Sequence, residues 1–142
     1  MAYITLEQAN AIITGAFAKG AELGLKPLGI AVLDAGGHLI AFQRQDGTST
    51  LRPQIATAKA SGALALGISS RKIADMAAER PSFVASLGPI ASHGVLPAAG
   101  GVIVVGADGR AIGAVGVTGD TSDNDELCAL AGISAAALTA QA

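Results

Sequence analysis

The sequence predicts a single α/β domain, and three observations support this prediction. Near the N-terminus a capping box opens a segment whose apolar residues recur at helical spacing. Further along, two pairs of apolar runs are each joined by a glycine-containing turn and followed by a helical segment, a pattern typical of a β-hairpin leading into a helix. The length of 142 residues fits one domain. We therefore expect residues 1–142 to form one unit.

The first predicted element is an amphipathic helix over residues 5–25. Thr5 and Gln8 have the spacing of a capping box, in which each side chain accepts a hydrogen bond from the backbone of the other residue. A helical apolar stripe follows: Ala9, Ile12, Ile13, Ala16 and Phe17. We expect the helix to end near Gly24.

The next predicted unit is a hairpin followed by three helices. Apolar runs flank Gly36 and Gly37, which predicts a hairpin that turns at this pair. Ser49 or Thr50 can cap the following helix, whose apolar face is Ile55, Ala58, Ala63 and Leu66. Residues 69–87 then read as two short helices, which are separated at Pro81 because proline breaks a helix.

A second hairpin-then-helix unit closes the chain. After a loop over residues 89–101, apolar runs flank Asp108-Gly109, and a helix is predicted to begin at Ser122 or Asp123 with acidic residues in its first turn. The two hairpins align weakly at four positions: Gly37 with Gly109, Ile40 with Ile112, Ala41 with Gly113, and Gly47 with Gly119. Chance or a shared structural need explains this alignment nearly as well as duplication does.

Composition excludes several classes of protein. The net charge is −2, the nine Lys and Arg are scattered, and there are only three Phe and one Tyr, so we expect no nucleic-acid binding. There is no apolar run long enough to span a membrane, and there is no signal-peptide pattern. The single cysteine, Cys128, cannot form an internal disulfide. We therefore expect a cytoplasmic protein that does not bind membranes. A composition of 51% hydrophobic and 14% charged residues predicts a homo-oligomer.

The candidate site lies at two polar loops, each of which leads from a strand end to a helix start. Three cations surround the first helix start, Arg44, Arg52 and Lys59, and four acidic residues surround the second, Asp120, Asp123, Asp125 and Glu126. Exposed N–H groups at helix starts favour a carboxylate or phosphate. If the loops adjoin, they form one pocket with a cationic wall and an anionic wall.

Each candidate residue also has a structural interpretation. Arg52 can hold a ligand carboxylate with its planar fork, or pair with Asp46 or a neighbouring subunit. Lys59 is either a ligand cation or a solvated side chain. His93, in the loop before the second hairpin, can be a metal ligand or a general acid–base, although most loop histidines are neither. His38 is expected to face solvent. The acidic set lacks the EF-hand spacing, and helix capping accounts for at least two of its members.

The segments "IAVLDAGGHLIAFQRQDGT", "IATAKASGAL", "PAAGGVIV" and "GAVGVTGDTSDNDELCALAGI" together resemble the GlcG/HbpS family, also known as the haem-degrading or DUF336 family, which includes the C-terminal domain of PduO-type proteins. The resemblance covers nearly the whole chain. It implies a profilin-like α/β sandwich, in which helices flank a central antiparallel sheet of about five strands. It also implies oligomers from dimer to octamer, and binding of haem or a cobalamin-type tetrapyrrole. Arg52, Pro53 and the long middle segment depart from the commoner pattern and favour a small anionic ligand.

Together, these observations predict a small-ligand-binding protein of GlcG/HbpS type, which binds haem, another tetrapyrrole or a small carboxylate near an oligomer interface. The expected metal ligand or proton-transfer group is His93, with Asp120 and Glu126 as further catalytic candidates. The expected ligand-binding residues are Arg44, Thr50, Arg52, Lys59, Gly100, Gly101, Thr118 and Asp125. The alternatives are a cofactor-independent enzyme acting on a small hydroxy- or oxo-acid, and an accessory oligomer without a ligand.

Overall fold

Five antiparallel strands form the centre of the protein, which a computed structural model describes over residues 2–142. The strand order is β2-β1-β4-β3-β5. The strands are β1 (Gly29–Asp34), β2 (Leu39–Arg44), β3 (Gly101–Val105), β4 (Ala111–Thr118) and β5 (Thr139–Ala140). The α/β class and the predicted antiparallel sheet of about five strands flanked by helices are therefore confirmed.

Both hairpins turn where glycine was expected. The β1–β2 turn has Gly37 at φ 84° and the β3–β4 turn has Gly109 at φ 80°, left-handed values that glycine adopts without a side-chain clash. The two hairpins join through an antiparallel pairing of β1 with β4, in which Gly29 lies opposite Thr118. This pairing places the C-terminal ends of β2 and β4 at the same end of the sheet, so the two polar loops that follow these strands also lie there. The short β5 beside β3 was not predicted.

Two helices cover one face of the sheet: α1 (Leu6–Leu23) and α5 (Ser122–Ala135). The predicted capping box is present, because Thr5 Oγ1 accepts a bond from the Gln8 backbone while the Gln8 side chain accepts one from Thr5. The helices touch closely, since a methyl group on Gly132 would collide with the carbonyl oxygen of Ile12. This layer holds the main core, which includes Ile12, Ile13, Ile30, Val32, Val115, Val117 and Ile133.

The other face carries α2 (Arg52–Leu66), which is followed by α3 (Ser70–Glu79), α4 (Pro81–Leu87) and a short 3-10 turn (Gly88–Ile90). The predicted break at Pro81 is present. The predicted cap of α2 by Ser49 or Thr50 is wrong: Leu51 occupies the N-cap and no side chain caps this helix, because the Ser49 hydroxyl instead accepts a bond from the Arg52 side chain. The predicted start of α5 is confirmed, since this helix begins at Ser122, and the side chain of Thr121 caps it by accepting a bond from the Asn124 N–H.

Candidate functional site

The helix α2 rests directly on the sheet because glycines face it. A methyl group on Gly101 would collide with the carbonyl oxygen of Lys59, and one on Gly116 would collide with that of Ala56. Hydrogen at these positions therefore lets the helix backbone contact the strands. Two longer side chains of α2, those of Lys59 and Arg52, reach hydrogen-bond partners at the end of β4.

One of these side chains, Lys59, forms a buried ion pair with Asp125 at the start of α5. Lys59 Nζ lies 3.1 Å from Asp125 Oδ2 and donates a second bond to the carbonyl of Val117 at 2.9 Å. The two side chains are only 3% and 2% exposed. Burial lowers the pKa of Lys59 and raises that of Asp125, while their mutual attraction opposes both shifts. Lys59 is thus neither the solvated side chain nor the open ligand cation that the sequence suggested.

Arg52, also on the sheet-facing side of α2, has neutral partners. Its Nε donates to Ser49 Oγ at 3.0 Å and its Nη1 donates to Thr118 Oγ1 at 2.7 Å. The expected alternative partner, Asp46, forms no ion pair with it, and no carboxylate within residues 2–142 lies within 4.0 Å of its guanidinium. Arg52 is therefore a half-buried cation without a paired anion.

The two polar loops lie side by side and enclose a cleft of about 210 Å³ next to this guanidinium. We call it the arginine cleft; its lining is Lys26, Pro27, Gly47, Thr48, Ser49, Arg52 and Gly119. Thr48 Oγ1 is buried here without a hydrogen-bond partner in the described part of the chain. The loops thus converge on one cleft, but Lys59 and Asp125 are not part of its lining.

The acidic residues of the second loop bind other parts of the protein. Asp120 accepts bonds from the Lys26 backbone N–H at 3.1 Å and from the Asn124 side chain at 2.8 Å. The bond from Asn124, together with bonds from backbone N–H groups, lowers the pKa of Asp120 to about 2. Glu126 and Asp123 both pair with Arg71 of α3. These carboxylates therefore hold the start of α5 in place.

Four other predicted ligand-binding residues have different surroundings. Arg44 is exposed and lines a neighbouring depression with Gln45 and Asp46, and Thr50 lies exposed in the turn before α2. Gly100 and Gly101 are buried against Lys59, so their missing side chains make room for α2 rather than for a ligand.

His93 lies away from the arginine cleft, on the outer side of α2. It lines a cleft of about 260 Å³ between the β1–β2 turn and the loop after the 3-10 turn. We call this the imidazole cleft; its lining is Ala35, Gly36, Gly37, His38, Ser61, Leu64, Ala65, Ala91, Ser92 and His93. A second depression, lined by Pro53, Gln54 and Thr57, continues from His93 along α2. The structure therefore does not bring His93 together with Asp120 or Glu126, as acid–base catalysis by these residues would require.

The second imidazole of this cleft, His38, is exposed as expected but is held in a defined orientation. Its Nδ1 lies 3.1 Å from Asp34 Oδ1, and the same oxygen accepts the backbone N–H of His38, which lowers the pKa of Asp34. Because a carboxylate can only accept, Nδ1 carries the hydrogen and Nε2 is left free. Histidines that bind metals commonly have this carboxylate partner. The sequence signal was the spacing of Asp34 and His38 across the Gly36-Gly37 turn.

Metal and membrane features are limited within residues 2–142. There is no group of three or more His, Cys, Asp or Glu side chains that could hold a metal ion. No helix in this range is long and apolar enough to cross a membrane.

Sequence comparison assigns the family. Residues 4–134 match the family described as "Haem degrading protein HbpS-like", which is more than nine-tenths of the chain. The chain belongs to this HbpS-like family. The resemblance inferred from the sequence segments is thereby confirmed. No curated protein matches this HbpS-like chain in sequence.

Solved structures share the fold of this HbpS-like protein. A PduOC:heme complex has a TM-score of 0.86 at 19% identity, covering 99% of this chain and all of the other. Klebsiella pneumoniae protein ORFY, described as DUF336, has a TM-score of 0.85 at 25% identity, with 96% and 93% covered. A double mutant of Streptomyces reticuli HbpS has a TM-score of 0.80 at 28% identity, with 94% and 87% covered. The α/β sandwich is therefore common to all four proteins.

Proposed function

We propose that this HbpS-like protein binds haem at the imidazole cleft, with His93 or His38 as an axial ligand of the iron. The observation that carries the proposal is the placement of two exposed imidazoles on the walls of one cleft. The family is named for haem, and one protein of the same fold was crystallised as a haem complex. Both facts support haem over other small ligands.

The ligand set fits haem better than a free metal ion. A transition-metal ion that binds tightly to a protein commonly has three or four protein ligands. The cleft offers only two imidazoles, and no third metal-binding side chain joins them within residues 2–142. Haem already supplies four equatorial nitrogens, so one or two axial side chains complete the coordination of its iron. Cys128 is unsuited to this role because burial in the core raises the pKa of its thiol to about 11.

The shape of the cleft also suits a flat ligand that a second copy of the chain covers. Small residues form much of its lining: Ala35, Gly36, Gly37, Ala65 and Ala91. Exposed apolar side chains lie close by in the chain, with Ile90 81% exposed and Phe83 41% exposed. Because a tetrapyrrole needs apolar contact on both faces, we propose that a neighbouring subunit supplies the other wall. This is the form in which the expected homo-oligomer contributes to the site.

In this site the protein binds and orients haem, and haem itself supplies an iron centre for coordination chemistry. Asp34 holds the hydrogen of His38 on Nδ1, so that Nε2 presents its lone pair. His93, which forms no hydrogen bond with the described residues, borders both the imidazole cleft and the depression beside Pro53 and Thr57.

The proposal is tested by titrating the purified protein with haem and following the Soret band. We expect a shifted, saturable Soret band in the wild type and a loss of at least about tenfold in affinity in the variant that lacks the axial ligand. His93→Ala and His38→Ala, measured separately and together, identify that ligand. Lys72→Gln, an exposed change on α3, is the matched control. A wild-type spectrum equal to that of free haem, or a double variant with wild-type affinity, would contradict the proposal.

A further inference from the structure

The arginine cleft has the chemistry of a second binding site, separate from the imidazole cleft. We propose that it binds the carboxylate of a small organic acid, which Arg52 holds with its guanidinium edge. Two cations, two hydroxyls and two glycines line the cleft: Arg52, Lys26, Thr48, Ser49, Gly47 and Gly119. No residue of the imidazole cleft contributes to it.

The unpaired charge of Arg52 is the main reason for this proposal. The guanidinium has five N–H donors, and the described structure uses two of them, for Ser49 and Thr118. Both partners are neutral hydroxyls, so the positive charge is half withdrawn from water without compensation. A carboxylate bound to the free edge makes two parallel charge-assisted hydrogen bonds, which is the geometry that arginine provides and lysine does not.

None of three neighbouring carboxylates takes this place. Asp46 forms no ion pair with Arg52. Asp125 is paired with Lys59 and is not part of the lining. Asp120 accepts hydrogen bonds from the Lys26 backbone and from Asn124, and it is not part of the lining. Arg52 is consequently a half-buried cation at this end of the sheet that remains for an external anion.

Two further groups strengthen the assignment. Thr48 Oγ1 is buried in the cleft wall without a partner among residues 2–142, and an unmet buried hydroxyl costs free energy that a ligand oxygen can recover after a small loop movement. Lys26 places an exposed ammonium at the rim, where it attracts anions without a fixed contact. The Thr48 hydroxyl and both cations therefore favour oxygen-rich anionic ligands.

The size of the cleft restricts the ligand. A volume of about 210 Å³ equals that of about seven water molecules at ~30 Å³ each. This space suits an acid with a short carbon chain. The lining contains no imidazole or free carboxylate, so this site binds its ligand rather than transferring protons.

The test is isothermal titration calorimetry of the full-length protein with malonate as the probe and inorganic phosphate as the competing anion. Wild type should bind malonate in preference to phosphate. Arg52→Gln should weaken binding by roughly tenfold or more, and Arg52→Lys should weaken it as well, because lysine keeps the charge but lacks the fork. Lys26→Gln, at the exposed rim, should cost about two- to fivefold.

Arg44→Gln is the matched control, since it removes an exposed cation from the neighbouring depression and should leave malonate affinity within about twofold. Arg52→Gln should also leave the haem titration unchanged, which separates this proposal from the first. The proposal is overturned if malonate gives no binding heat, if phosphate binds more tightly than malonate, or if Arg44→Gln and Lys26→Gln have equal effects. Because Lys26 is exposed, its variant remains informative even if the Arg52 variants fail to fold.

Discussion

The buried pair of Lys59 and Asp125 should be the most sensitive polar feature of this fold. We consider the substitution Lys59→Met, which keeps a long unbranched side chain but removes the ammonium group. The Asp125 carboxylate and the Val117 carbonyl would then lose their donor at a site where the two charged side chains are 3% and 2% exposed. A buried charge without its partner costs about 3–5 kcal/mol.

This cost should be measured as the free energy of unfolding in urea, followed by circular dichroism. We expect Lys59→Met to lower it by about 3–5 kcal/mol, and to lower the melting temperature by roughly 10 °C for a domain of this size. The matched control is Lys72→Met, which removes an exposed ammonium on α3 and should change stability by no more than about 0.5 kcal/mol.

A double-mutant cycle separates the ion pair from side-chain packing. Asp125→Asn alone leaves Lys59 without a counter-charge, whereas Lys59→Met with Asp125→Asn leaves no buried charge at all. The double variant should therefore be more stable than the sum of the single effects predicts, by about 0.5–3 kcal/mol. A loss below about 1 kcal/mol in Lys59→Met, or strictly additive effects, would show that the pair is solvated and would refute this reasoning.

Two further predictions concern the second polar loop and the contact between α2 and the sheet. The pKa of Asp120 is lowered from 3.8 to about 2 in the fold, so its ionised form stabilises the protein above this range and the contribution disappears as the pH falls through it. Urea midpoints of Asp120→Asn should thus lie below wild type near neutral pH and converge with it near pH 2, whereas the exposed Asp75→Asn should follow wild type throughout. Gly116→Ala should lower the free energy of unfolding by about 3 kcal/mol or more in the same assay, because its methyl group would collide with the backbone of α2. Gly88→Ala is the control: no atom lies within 4 Å of its new methyl group, so this change should be neutral or slightly stabilising. Equal effects of the two substitutions would contradict close packing of α2 on the sheet.

Much of the fold could be predicted from the sequence because its signals are local. The capping box at Thr5, the turn glycines Gly37 and Gly109 and the break at Pro81 each act within a few residues of themselves. The errors occur where two groups compete for one partner, or where residues far apart in the sequence meet. The Ser49 hydroxyl was expected to cap α2, but the Arg52 side chain takes it instead. The two-residue β5 follows from pairing with β3, which no local pattern indicates.

The candidate site could be predicted only in part for the same reason. The sequence correctly places polar residues on two loops, but it cannot show which cation meets which anion. Lys59 and Arg52 lie two helical turns apart on one face of α2, yet the first finds a carboxylate and the second finds hydroxyls. His93 was expected beside the acidic loop, and its nearest imidazole proves to be His38 across a separate cleft. These contacts depend on the pairing of β1 with β4 and on the loop that contains His93, which packs beside α2.

The contact between α2 and the glycines of the sheet affects how the two clefts can communicate. The arginine cleft lies at the first turn of this helix and the imidazole cleft at its last turns, so Arg52 is separated from Ser61 to Ala65 by about 14–20 Å along the helix axis. Cooperativity between distant sites requires an element with two alternative positions. A helix whose backbone already touches the strands has no room to slide, so each cleft should respond to its own ligand and ignore the other.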